Sequence, residues 1–178
     1  MEELVAVLSP SGVATGEVVS RNKAHQKGLW HKTVHIWFRN SAGELLLQKR
    51  SEKKESHPGL WDISCAGHVS AGDSSISASV REIREELGIT INSNELSYMF
   101  TIKQQHRTTD NSYIDNEMVD VYLCSRSVCA EDLSPDPEEV SGFTFLSVNL
   151  LINKLIKNNF EFVNHEEEYR KLFEIILS

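Results

Sequence analysis

An α+β fold around a central sheet is predicted by three features of the chain. Short β-branched and aromatic runs recur between turn-forming residues, one segment switches to helical periodicity, and further helical patterns close the sequence. Leu4 to Leu8 and Val13 to Val19 read as strands joined by Ser9-Pro10-Ser11-Gly12. Proline there presets φ and glycine accepts a positive one, so an N-terminal β-hairpin is expected. His31 to Phe38 and Glu44 to Gln48 follow as two antiparallel strands about the turn Asn40-Ser41-Ala42-Gly43. Ser51 to His57, ending at Pro58-Gly59, is polar and expected as a surface loop, and Leu60 to Ala66 regains strand character. From Ser74 to Leu87 the apolar residues Ile76, Val80, Ile83 and Leu87 recur at spacings of three and four, the stripe of an amphipathic helix that Gly88 caps. Leu96 to Gln105, Glu117 to Ser125 and Val140 to Phe145 read as strands, with Thr108 to Ser112 as a polar turn. Ser147 to Lys157 and His165 to Leu177 read as helices.

The chain has 178 residues, 40% of them apolar, enough to fill one core. No repeat or long linker marks a second domain, so residues 1–28 are expected as an N-terminal extension packed on a body spanning 29–178. A formal charge of −8 argues against a nucleic-acid polymer as partner, because phosphate neutralisation needs clustered Lys and Arg. It leaves room for a small anionic ligand bridged to the protein by a divalent cation. Cys65, Cys124 and Cys129 are odd in number and form no CxxC pair, which disfavours a disulfide framework or structural zinc and suits a reducing compartment. The start Met1-Glu2-Glu3-Leu4-Val5 lacks a basic, apolar leader, and no run approaches the ~18 apolar residues of a membrane span, so a cytoplasmic location without membrane association is expected. A homodimer is left open.

The most informative residues lie on the predicted helix. Glu82, Glu85 and Glu86 stand at i, i+3 and i+4, so three carboxylates share one face while Ile83 and Leu87 turn to the core. Exposed like charges at such spacing cost a few tenths of a kcal/mol per pair, and more where solvent is excluded. A hard cation such as Mg²⁺ offsets that repulsion, since it prefers carboxylate oxygens and phosphates. Arg81, four residues before Glu85, is placed to fix its rotamer. The plainer alternative for the triplet alone is a solvated acidic face.

The triplet sits in a longer pattern: Gly67, then Asp73, then Arg81-Glu82-Ile83, Glu85-Glu86, Gly88 and Ile89. This resembles the Nudix box, departing only at Asp73, where the motif has Glu. The resemblance implies a Nudix fold, an α/β/α sandwich around a mixed sheet. It also implies a hydrolase that cleaves a diphosphate linkage in a small molecule such as a nucleoside diphosphate derivative. Glu82, Glu85, Glu86 and the Gly67 carbonyl are then expected to hold Mg²⁺ or Mn²⁺, and Asp73 to brace the loop slightly differently from Glu. In such chemistry metal ions neutralise the diphosphate and activate a water, while a base takes the proton.

Outside the box the chain is similar to type 1 isopentenyl diphosphate isomerases from about His25 to Glu117. Their metal site implies a second metal or phosphate site here, formed by His25, His31, His68, Asp115 and Glu117, with His25 offset by a one-residue gap and Asp115 standing for a Glu. Each histidine alone is more often a core or surface residue than a ligand. Two departures favour hydrolysis over isomerisation. The isomerase acid-base cysteine falls at Ala66, with Cys65 one residue away and therefore on the opposite strand face. The helix also keeps Glu82 and Glu85, which isomerases lose. Glu117 is the candidate general base, its plainer alternative being a solvated sheet-edge carboxylate. An isomerase-like enzyme and a non-catalytic diphosphate-binding module are the rival functions.

Lys49, Arg50 and Trp61 are candidates for substrate binding, the first two through phosphates and the third by stacking. Solubility and core packing are their alternatives. Glu166-Glu167-Glu168 ahead of Arg170-Lys171 matches the helix dipole and calls for no ligand.

Overall fold

The computed structural model describes residues 2–54, 56–109 and 113–178. The chain opens with β1 (Leu4–Leu8) and β2 (Ala14–Ser20), paired antiparallel across a turn in which Gly12 takes φ 84 and its N–H donates to Ser9 O. This is the expected hairpin. A short helix not legible in the sequence, α1 (Arg21–Lys27), follows directly, capped by Ser20 at its start and Gly28 at its end. Ala24 and His25 are its buried residues. The hairpin joins the rest of the chain through Leu8 N to Trp30 O and Ala71 N to Leu4 O.

Two sheets hold β3 (His31–Phe38), β4 (Leu45–Arg50), β5 (Trp61–Asp62), β6 (Cys65–His68), β7 (Leu96–Arg107), β8 (Ile114–Cys124) and β9 (Val140–Leu146). One is mixed, in the order β6-β3-β8-β7, and the other runs β5-β4-β9. The two strands expected antiparallel about the Asn40-Ser41-Ala42-Gly43 turn form, but in different sheets. The turn after Arg39 forms, but only the bridge Arg39–Leu45 links the strands before they part into different sheets. Nearly every residue of β3 is buried, so it needs partners on both sides, and β8, parallel, and β6, antiparallel, take those places. The single strand expected over Leu60 to Ala66 likewise divides into β5 and β6. Ser64 ties the crossing together, accepting from Phe38 N and donating to Leu46 O.

Helix α2 (Ser75–Leu87) starts at a capping box between Ser74 and Ser77 and stops at Gly88, whose φ of 72 suits glycine. It covers one face of the mixed sheet, packing Ile83 and Leu87 against Val34, Ile36 and Phe38. Each such side chain contributes about 1.5–3 kcal/mol through burial. The apolar stripe is corrected at Ile76, which is exposed; Ala78 and Ser79 fill the inner face at that end. Helices α3 (Val148–Lys157) and α4 (Glu166–Leu177) cover the other face around Trp37, Val119 and Val121. The result is the expected α+β sandwich. No helix among the described residues is long and apolar enough to cross a membrane. The expected turn over Thr108 to Ser112 falls partly outside the described residues; Thr108 N donates to Tyr113 O.

Candidate active site

Strand β6 edges one sheet and β5 edges the other, and residues of both line a cavity of about 470 Å³. The α2 carboxylates reach it from one side of β6. Glu82 and Glu86 are buried, whereas half of the Glu85 side chain is exposed, and all three line the cavity. Arg81 Nη1 donates to Glu82 at 2.7 Å and to Glu85 at 3.2 Å, and its Nη2 donates to the His68 carbonyl at 2.8 Å. The arginine thus ties the helix to β6. Asp73 is exposed and makes no side-chain hydrogen bond or ion pair among the described residues, so this brace belongs to Arg81. Glu86 accepts from Gln48 Nε2 and Ala66 N, both at 3.2 Å. Burial pushes the Glu82 carboxyl up to about 8 against the pull of Arg81, with Glu86 and Glu85 adding to the rise, and burial raises Glu86 too. Gly67 passes so close beneath Glu82 that its backbone has no room for a β-carbon.

On the other side of β6, three imidazoles gather. The rings of His25, His31 and His68 lie 5.1–5.4 Å apart. Their Nε2 atoms are 3.5–3.8 Å from Asp115 Oδ1 or Glu117 Oε1, too far for hydrogen bonds. All three Nε2 atoms and Asp115 Oδ1 are buried without a hydrogen-bond partner among the described residues. Native interiors rarely leave so many polar atoms unmatched. The spacing suits atoms that share a cation. His31 Nδ1 lies 2.9 Å from the Leu29 carbonyl, which directs the proton there and leaves Nε2 a lone pair. Burial, then His31 and Arg21, hold His25 down to about 4, and burial with Arg21 and the neighbouring imidazoles keeps His68 well below 6.5. Both imidazoles are therefore neutral at physiological pH. Burial and the adjacent Asp115 push Glu117 well above the usual carboxylate range.

A third group was not legible in the sequence. His35 Nδ1 donates to Glu168 Oε2 at 2.6 Å, and Trp37 Nε1 donates to Glu168 Oε1 at 2.7 Å. Asp62 accepts from His165 Nε2 at 2.8 Å and from Arg50 Nη1 at 2.9 Å. His35, Asp62 and His165 line the cavity. Glu168 does stand in the first turn of α4, as its helix-start reading has it, and is also fully buried against β3. The alternation of β3, which places His31, Thr33 and His35 on one face, was the available signal.

A family model for the NUDIX domain matches residues 29–165, more than half of the chain. The chain belongs to the NUDIX family. It is 39% identical to Nudix hydrolase 3 of Arabidopsis thaliana over 98% of this chain, but spans only 23% of that longer protein. It is 30% identical to an isopentenyl-diphosphate Delta-isomerase of Pectobacterium atrosepticum over 85% of this chain and 80% of that one. The crystal structure of DR0079 from Deinococcus radiodurans covers 98% of both chains with a TM-score of 0.69 at 21% identity, a likeness of fold.

The NUDIX segment does not hold the whole cavity. Glu3 and Arg21, which line the cavity, precede it, as does His25 of the imidazole cluster, while Glu168, which anchors His35, follows it. Among the residues expected to bind substrate, Arg50 lines the cavity, with its guanidinium committed to Asp62 and Ser56. Lys49 and Trp61 are not among the cavity's lining residues. They are cross-strand partners, with Lys49 Nζ 6.0 Å from the indole centroid, and Trp61 packs on the α3–α4 core. Arg21 and Lys54 do line the cavity and were not singled out from the sequence. Cys65 lies in the α2 core, whereas Ala66 faces the cavity.

Proposed function

We propose that this NUDIX chain is a hydrolase, dependent on Mg²⁺ or Mn²⁺, that cleaves a diphosphate linkage in a small molecule such as a nucleoside diphosphate derivative. The observation that carries this reading is the crowding of Glu82, Glu85 and Glu86 into one cavity, two of them buried, with Arg81 as their cationic neighbour on the helix. An all-oxygen set of these carboxylates and the Gly67 carbonyl fits a hard cation. The unpartnered nitrogens of His25, His31 and His68, beside Asp115 and Glu117, fit a second, more borderline ion. A divalent ion bound there would neutralise phosphate charge and acidify a coordinated water.

The chain's own residues supply the rest. Arg81 fixes the rotamers of Glu82 and Glu85 and ties α2 to β6 through the His68 carbonyl. Glu117 is assigned the role of general base for the water proton; a cation held by the neighbouring imidazoles would offset Asp115 and favour its carboxylate form. Arg21 and Lys54 on the cavity wall carry the positive charge that attracts the diphosphate.

The imidazole cluster favours a second reading, an isomerase-like enzyme. Its weakness is that Ala66, not a thiol, faces the cavity, leaving no cysteine to protonate an alkene. A binding module without turnover has no use for three repelling glutamates. Incubation with Mg²⁺, a panel of nucleoside diphosphate derivatives and isopentenyl diphosphate separates the three. Release of phosphate or nucleotide is expected. An allylic product without phosphate release, or binding without any product, would overturn the proposal.

A further inference from the structure

The connection between β4 and β5 brings Lys54, Ser56 and His57 to the cavity wall. Where it leaves and re-enters the sheet, Arg50 N donates to Leu60 O at 2.9 Å. Lys53 and Lys54 pair with Glu138 and Glu139 ahead of β9, but exposed ion pairs of this kind contribute little. The stronger tie comes from Arg50. Its Nε and Nη2 donate to the Ser56 carbonyl at 3.0 and 2.9 Å, and Nη2 donates again to Ser56 Oγ at 3.0 Å. Nη1 donates to Asp62 Oδ2 at 2.9 Å, and Asp62 Oδ1 is held in turn by His165 and the Ile63 N–H.

The residue after Ser56 carries strain. His57 takes φ 51, the one positive φ outside glycine among the described residues, and Pro58 follows it. A residue ahead of proline favours extended backbone, so this conformation is unfavourable and persists only where its surroundings impose it. There the imidazole lies 4.7 Å from the ring of His106, near the end of β7, so the connection reaches a strand of the other sheet. Lys54 is close enough to Glu86 for its charge to be the main influence that opposes burial at that carboxyl.

A guanidinium held in this way is poorly placed to grip phosphate as well, since a bidentate contact would require it to release Ser56 or Asp62. We propose that Arg50 is a positioning residue that clamps Ser56 to Asp62 and so holds Lys54 and His57 at the cavity wall, without itself binding the diphosphate. The clamp stands on geometry alone, while its effect on substrate rests on the diphosphate-hydrolase reading.

Amide hydrogen exchange of the ligand-free protein and calorimetry with Mg²⁺ and inorganic diphosphate test the two parts. Arg50→Lys is expected to speed exchange at Lys54 and Ser56 by about tenfold or more and to leave α2 unchanged. It should weaken diphosphate binding by about tenfold, as much as Arg50→Gln does, because a lysine keeps the charge but not the fork. Ser56→Ala removes one bond of the clamp and leaves the arginine free to meet a ligand, so a loss of about threefold is expected. Lys54→Gln should weaken binding in the parent chain and add little in Arg50→Lys, since the arginine acts through the lysine. Unaltered exchange or full binding in Arg50→Lys, unchanged affinity in Ser56→Ala, or additive losses with Lys54→Gln would overturn the proposal. Failure of the parent chain to bind diphosphate would refute the hydrolase reading instead, and the exchange measurement would still decide the clamp.

Discussion

Glu82 lays its carboxylate across Gly67, and a β-carbon built on that glycine would overlap Cγ, Cδ and Oε1 of the glutamate. The glycine is required for space, since its φ is not in the left-handed region. In Gly67→Ala the flexible partner must yield, so Glu82 rotates off its present position and loosens from Arg81. We expect a destabilisation of about 1–3 kcal/mol and Mg²⁺ affinity lower by about tenfold to a hundredfold. Thermal melts and metal titration of one purified sample check both.

The two proposed metal-binding sets should be separable. Glu85→Gln and Glu86→Gln are each expected to lower kcat by at least about a hundredfold with the fold intact. In a Mn²⁺ titration followed by electron paramagnetic resonance, Glu85→Gln should weaken one class of bound ion and His31→Ala the other. Loss of both classes in either variant, or of neither, would contradict two sites.

Asp62 makes stability depend on acidity. Burial alone would raise its pKa, but the hydrogen bond and charge of His165, with Arg50, hold it well below its ordinary 3.8. A depressed carboxyl contributes stability that is present above the unfolded pKa and is lost as pH falls through the folded one. Asp62→Asn should therefore cost about 3 kcal/mol at pH 7, and the gap from the parent chain should narrow below about pH 4. Urea unfolding at a series of pH values measures it.

The pair of His35 and Glu168 works from both directions. Although burial opposes both charges, Glu168 raises His35 above 6.5, and His35 lowers Glu168 below 4.5. The histidine's share of stability is complete below 6.5 and fades as pH climbs through its folded value. The glutamate's share is complete above 4.5 and fades as pH drops through its own. Glu168→Gln should accordingly be most damaging between about pH 4.5 and 6.5, by about 3 kcal/mol. The penalty should lessen on either side, as followed by chemical denaturation.

What the sequence disclosed depended on how local the information was. Helix α2 was legible because its cap, its core-facing Ile83 and Leu87, and its glutamates all lie within one short segment. The imidazole cluster became legible through family resemblance, because α1, which carries His25, is a seven-residue polar helix without a visible apolar stripe. Glu168 was read only as one of three acids that suit a helix start. Its partner His35 is 133 residues away, and no spacing rule spans that distance. The β3–β4 turn had the right chemistry for a hairpin, yet β3 needed neighbours on both edges, and only tertiary context provides them.

Strand β6 divides two chemistries within the length of four residues. Cys65 and Gly67 turn toward the glutamates of α2, while Ala66 and His68 turn toward the imidazoles. A single residue inserted or deleted ahead of Gly67 would exchange these allegiances, bringing a thiol to the open chamber and pressing an alanine methyl against Glu82. The catalytic repertoire open to this chain is therefore fixed as much by the parity of one short strand as by the identity of any side chain on it.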